Sequence, residues 1–268
     1  MTVQTDEFFR NALSTWLKPV SDTSPCGEDL EYNNTYVALI KGIEPPEAAY
    51  DPAASDQQEP EDNRDWRASR KMSDELSAET RSLELAVAYT KILISSETHP
   101  VEGLAKGLFL IHEYIADFWP CVYPSLDEDD DDPHYLRYNT LSNLGDWKSV
   151  VLPLKKEVTV LSIGLGDYTL EDILTLDAGH DVAGKSPLNG LMEDELQSVV
   201  KLKNDFQQCL ELVAKIKKAL NDRAGEAFDG FDKHLIPCLK LGVEIQNTST
   251  LISNASPAQG ASQTKSAS

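Results

Sequence analysis

Apolar positions along this chain recur mostly at helical spacing. Thr5 can cap a first short amphipathic helix carrying Phe8, Phe9, Leu13, Trp16 and Leu17, which Pro19 would end. A second short periodic piece gathers around Tyr36, Leu39 and Ile40. "EPPEAAYDPAASDQQEPEDN", residues 44–63, then interrupts the pattern with four prolines, many acids and almost no bulky apolar side chain, so it is expected to be a mobile loop. From Asp65 the spacing becomes helical again, with a break near Ser77 to Thr80, which predicts two consecutive helices.

Between Val101 and Trp119, Leu104, Leu108, Ile111, Ile115 and Phe118 alternate in steps of four and three, the stripe of a core-facing helix that Pro120 should stop. An acidic run, Asp127 to Asp132, leads into another helix, with Pro133 placed for its first turn. The only β-branched cluster, Val158 to Ile163, predicts one small hairpin between Val150 and Tyr168. Thr169 followed by Asp172 has the form of a capping box.

The clearest period lies near the end. Val199, Leu202, Phe206, Cys209, Val213, Ile216 and Leu220 form one seam, and Phe228, Phe231, Leu235, Cys238, Gly242 and Ile245 a second. Joined by "NDRAGEA", they predict a long antiparallel helical hairpin over residues 191–246. Cys209 and Cys238 stand about equally far from its turn and should meet across the seam as two small core residues. The fold class that follows is mostly α: a multi-helix domain with one small β-hairpin and this long helical hairpin. Residues 1–180 are expected to form the helical domain, 181–250 the hairpin on or beside it, and 251–268 a small, polar, disordered tail.

Composition narrows the function. The 268 residues carry 24 basic against 45 acidic side chains, a formal charge of −21, which disfavours nucleic acid and anionic membrane as direct partners. No stretch reaches the ~18–20 apolar residues of a membrane-spanning helix. The N-terminus has no basic-then-apolar leader, and the four cysteines, Cys26, Cys121, Cys209 and Cys238, show no paired short spacing, so a reducing cytoplasm is the expected setting.

Candidate chemistry is sparse. "SPCGEDLEY", Ser24 to Tyr32, places Cys26 between a proline and a glycine, yet Glu28, Asp29 and Glu31 would raise its thiol pKa, the wrong direction for a nucleophile. A turn in which Gly27 supplies backbone freedom and Cys26 packs inward is the expected reading, with Glu28 and Asp29 placed before the next helix to favour its positive end or accept backbone hydrogen bonds. The Asp127–Asp132 run lacks the glycine and distal glutamate of a calcium-binding loop. The five histidines have no zinc-type spacing, and neither a dinucleotide fingerprint nor a phosphate-binding loop occurs. No cofactor is expected. The alternative function on these residues is a hydrolase using Cys26 or a metal held by the 127–132 run.

Several long stretches resemble the N-terminal region of the TssA family (ImpA type) of the type VI secretion system. They are "WLKPVSDTSPCGEDLEY", with Trp16, Pro19, Ser21, Pro25, Cys26, Gly27, Glu28, Asp29, Leu30 and Tyr32; "DWRASRKMSDELSAETRSLELAVAYT", opening on Asp65 and Trp66; and "VEGLAKGLFLIHEYIADFWPCVYP", with Trp119 and Pro124. "YLRYNTLSNL", containing Arg137, and "YTLEDIL" fit as well. The resemblance implies a non-enzymatic, cytoplasmic assembly protein acting in baseplate formation and in priming and extension of the contractile sheath and inner tube. Its partners would be other secretion components (baseplate, sheath, tube or membrane-complex proteins), with a homo-oligomer a further possibility. It also implies that the named residues are structural. Because the chain stops at a low-complexity tail, the C-terminal part that builds a ring in several members is expected to be absent.

Overall fold

The computed structural model describes residues 3–45, 63–97, 99–126, 131–156, 158–160, 168–185, 193–225 and 227–245. The expectations for the 44–63 loop beyond Pro45, for Asp127 to Asp130 and for the tail therefore lie outside the described residues. Within them the protein is mostly helical, as the periodicity predicts.

The N-terminal helices are α1 (Val3–Ala12), α2 (Asn34–Gly42) and α3 (Trp66–Leu76). Thr5 lies inside α1 rather than at its cap, and the helix gives way to turns six residues before Pro19. Asp65 caps α3, its Oδ1 accepting from the Ala68 amide at 2.9 Å. Then come α4 (Leu83–Ser96) and α5 (Pro100–Asp117), which pack against each other more extensively than any other pair. Ten of the fourteen residues of α4 are buried, and all five positions of the predicted α5 stripe are too.

Close approach of α4 and α5 depends on Gly103 and Gly107, one turn apart on α5. A Cβ at Gly103 would fall 2.6 Å from the Leu93 carbonyl oxygen, and one at Gly107 would fall 2.2 Å from Thr90 Oγ1. This small-residue pair was not recognised from the sequence, although "GLAKG" shows it.

α6 (Tyr135–Ser142) begins two residues after Pro133, which precedes the His134 cap instead of entering the first turn. A 3-10 turn (Asn143–Gly145), a π turn (Trp147–Val151) and α7 (Leu152–Lys156) follow, so the segment assigned to the start of the hairpin is helical. Among the described residues the hairpin consists of β1 (Val158–Val160) and β2 (Tyr168–Thr169), paired antiparallel. The capping box opens α8 (Leu170–Asp177): Thr169 Oγ1 accepts from the Asp172 amide at 3.1 Å, and Asp172 Oδ2 accepts from the Thr169 amide at 2.9 Å.

The C-terminal seam is correct in its contacts and half correct in its helices. α9 (Glu193–Ala224) is the long arm and packs on α5, whereas the return arm is helical only in α10 (Leu235–Val243). Phe228 and Phe231 come before α10, Phe231 in the turn that leads into it and Phe228 in the irregular chain before that turn, where "FDGFD" favours reversal over helix. They stay buried because their rings meet edge-on at 4.8 Å and Phe228 also meets Tyr138 at 5.3 Å. Gly242 leaves room for the Phe206 ring, 2.3 Å from where its Cβ would stand.

Cys209 and Cys238 are both free, both buried, and close enough for Cys238 to bear on the ionisation of Cys209. Burial, with smaller contributions from Asp205 and Cys238, pushes the Cys209 thiol well up, and burial pushes Cys238 up to about 11. At pH 8 the thiolate fraction at Cys238 is then roughly a hundredfold or more below that of an ordinary cysteine. Iodoacetamide is accordingly expected to leave the native chain unlabelled over the minutes in which a free thiol reacts. Mass spectrometry should find two adducts after unfolding and four after unfolding with reductant, because the other two cysteines are bonded to each other. Rapid labelling of the native chain would contradict both the burial and the bond.

Candidate functional site: a buried junction and the cleft beside it

Cys26 and Cys121, ninety-five positions apart, form a disulfide with their Cα atoms 5.8 Å apart. This corrects two expectations. Linear spacing gave no sign of the pairing, because three segments far apart in sequence must fold before the sulfurs meet. It also removes the nucleophile: Cys26 does tuck inward, 2% exposed, but with no free thiol for hydrolysis. Among the described residues no group of three or more His, Cys, Asp or Glu side chains is arranged to hold a metal.

The three segments are the connector after α1, the α3–α4 corner, and the chain following α5. Trp16 anchors the connector: its ring stacks on Tyr89 with centroids 4.2 Å apart, and its Nε1 donates to Asp74 Oδ1 at 3.1 Å. Beyond Pro19 the chain reverses. The Ser24 amide donates to Ser21 Oγ at 3.0 Å, Ser24 Oγ donates to the Gly27 carbonyl at 3.0 Å, and the Val20 amide donates to the Pro25 carbonyl at 2.9 Å.

Main-chain pairing then joins all three segments. The Glu28 amide donates to the Glu79 carbonyl (3.1 Å) and the Arg81 amide to the Cys26 carbonyl (2.8 Å). The Tyr123 amide donates to the Arg81 carbonyl (3.0 Å), and the Leu83 amide to that of Tyr123 (2.8 Å). Gly27 has φ +69°, and a Cβ there would stand 2.0 Å from the Glu79 carbonyl oxygen, so the conformation and the space both require glycine.

Two buried arginines fill the junction. Arg81, 2% exposed, donates to four carbonyls: Nε to Lys18 (2.9 Å), Nη2 to Thr15 (3.0 Å) and again to Lys18, and Nη1 to Thr80 (2.8 Å) and Ser77. Arg137, 1% exposed, donates to the carbonyls of Pro124 (2.8 Å), Trp119 (2.6 Å) and Val122 (2.6 Å), with its guanidinium 4.5 Å from the Trp119 ring centre. Burial pushes Arg137 down to about 10, which leaves it a cation at neutral pH, and burial lowers Arg81 as well. A planar fork with five donors suits them to clamp carbonyls arriving from several directions. Arg81 was missed by sequence reasoning: in "AETRSLELA" it looks like an ordinary polar residue at a helix boundary.

The remaining sequence-selected residues divide by position. Leu30 is buried, Trp66 is partly buried under the Arg64 guanidinium 4.4 Å from its ring centre, and Tyr32 is 88% exposed. Of the two roles expected of Glu28 and Asp29, Asp29 takes that of backbone acceptor. Asp29 Oδ1 accepts from the Glu31 amide at 3.1 Å, while Asn33 caps α2 by accepting from Thr35 and Tyr36.

Beside the junction opens a cleft of about 220 Å³. Asp29, Glu31 and Glu84 give it three carboxylates, and Tyr36, Tyr123 and Leu136 give it apolar walls. The Tyr36 hydroxyl bridges Glu84 Oε2 and Ser82 Oγ, each at 2.9 Å. Leu136 stands 50% exposed at the rim. The junction offers no reactive group; the cleft offers negative charge next to apolar surface, which is the chemistry of recognition.

Comparison with known proteins converges on this region. A family model described as "ImpA, N-terminal, type VI secretion system" matches residues 17–146. The type VI secretion system component TssA1 of Pseudomonas aeruginosa is 36% identical over 129 residues, covering 48% of this chain and 36% of that protein, so the match spans little more than a third of that relative's length. Among solved structures, the N-terminal domain of the TssA component from Burkholderia cenocepacia, which includes the ImpA_N region, superposes with a TM-score of 0.65. It covers 91% of this chain and 94% of that one at 17% identity, which is a likeness of fold.

Proposed function

We propose, from the family match over residues 17–146, that the chain belongs to the ImpA-type TssA family of type VI secretion components and is a non-enzymatic assembly module. In this reading it acts in the cytoplasm, in baseplate formation and in priming and extending the sheath around the inner tube, by binding other components of the same machine. The observation that carries the reading is the coincidence of the family match with the three-segment junction. The matched residues bond one another and the main chain, and so build a scaffold. The acidic surface supports protein partners over nucleic acid. No described helix is long and apolar enough to cross a membrane. The Cys26–Cys121 bond is unusual for a reducing compartment; Cys26 is buried and Cys121 half-buried.

The test is a pull-down of the folded chain against purified baseplate, sheath, tube and membrane-complex proteins of its own secretion system. Retention of at least one component at physiological salt is expected. Retention of none, with helicity confirmed by circular dichroism, would sink the proposal.

A further inference from the structure

Beyond the first cleft lies a second, of about 150 Å³, and Glu84 lines both. Their walls come from three segments of the chain in matching order. From α4, Glu84 borders the first cleft, and Val87 and Lys91 border the second, at steps of three and four. From α2, Tyr36 borders the first and Ile40 the second, joined there by Ile43 at the cap of α2. From α6, Leu136 and Asn139 border the first, and Asn143, in the 3-10 turn after α6, borders the second. Along each of the three segments the chain thus passes from the first cleft to the second. Sharing Glu84, the two clefts adjoin as one groove, and its α4 wall from Glu84 to Lys91 is about 10 Å long at ~1.5 Å per residue. A groove of that length along α4 accommodates a rod of about two helical turns.

Its charge is lopsided. Asp29, Glu31 and Glu84 crowd the end where the three helices begin, while Lys91 and Glu44 offset each other at the far end. The chain's own residues 46–62 carry acids and no base, and a second copy brings another −21, so neither complements it. We propose that this groove receives an amphipathic helix of another secretion component, its apolar stripe lying on α4 between Ile40 and Leu136 and its Lys or Arg facing Asp29, Glu31 and Glu84. This deepens the assembly reading above and rests on it.

The experiment uses the full 268-residue chain and 20-residue peptides tiling the baseplate, sheath, tube and membrane-complex proteins of the same system, read by fluorescence anisotropy and circular dichroism. A peptide with apolar residues at three- and four-residue steps and a base near one end is expected to bind and to gain helix. Leu136→Glu should weaken it at least tenfold, because Leu136 is exposed at the rim, and circular dichroism of the variant should match that of the parent. Glu84→Lys should weaken it similarly, with recovery when the peptide's base is changed to Glu. Phe8→Glu, at another exposed aromatic, should change nothing. Binding that survives both groove variants, binding without helix gain, or self-association abolished by Leu136→Glu overturns the groove assignment. Absence of any binding peptide also overturns it, while intact components that still bind in the pull-down leave the assembly reading standing.

Discussion

Replacing Arg81 with leucine is expected to lower the thermal midpoint by roughly 10 °C or more, the largest loss from any single side chain of the junction. Leucine removes every donor from the carbonyls of Thr15, Lys18, Ser77 and Thr80, none of which can be removed in compensation because all are main chain. Unpaired buried acceptors cost about 1–3 kcal/mol each, and breaking a buried charged network costs about 3–5 kcal/mol. In a chain of this size each kcal/mol moves the midpoint by about 2–4 °C. Arg81→Lys separates charge from geometry. It keeps the cation but draws its donors from one point, so it should recover only part of the loss. Calorimetry decides the matter: a leucine variant within 2 °C of the parent would show that the guanidinium does not hold the corner together.

Gly27→Ala is the second. At φ +69° a Cβ costs about 1–2 kcal/mol before any contact is considered. The 2.0 Å approach to the Glu79 carbonyl then forces residues 26–28 away from 79–81 and weakens the pairings of the Glu28 and Arg81 amides. A total of about 3 kcal/mol follows. Gly42→Ala is the matched control: nothing lies within 4 Å of its Cβ and it ends α2, so alanine there should be neutral or slightly stabilising. Urea unfolding of the two variants should separate their midpoints clearly. Equal midpoints would mean the Gly27 turn relaxes without cost.

What could be read from the residues was what neighbours in sequence determine. The α5 stripe, the Thr169–Asp172 box and the turn at Gly27 each depend on a few consecutive residues, and each stands where expected. The seam placed Cys209 near Cys238 although the return arm is helical only from Leu235, because burial of Phe228 and Phe231 needs their spacing and not a helix. What escaped was long-range closure. Neither the Cys26–Cys121 pairing nor the four-carbonyl grip of Arg81 has any local signature. The groove requires three helices brought together from separate stretches of the chain, so no single periodicity could announce it.

The disulfide also changes the topology of the molecule. Residues 26–121 form a covalent ring that contains α2 to α5 and therefore the α2 and α4 walls of the groove. A single backbone cut anywhere between residues 27 and 120 opens the ring without dividing the molecule, so both ends of the cut remain tethered to the junction. A cut outside the ring releases a fragment at once if packing fails. The connector that supplies Thr15 and Lys18 thus stays linked to the α5 exit by a route that does not pass through residues 46–62, and damage there leaves the partners of Arg81 within reach of one another.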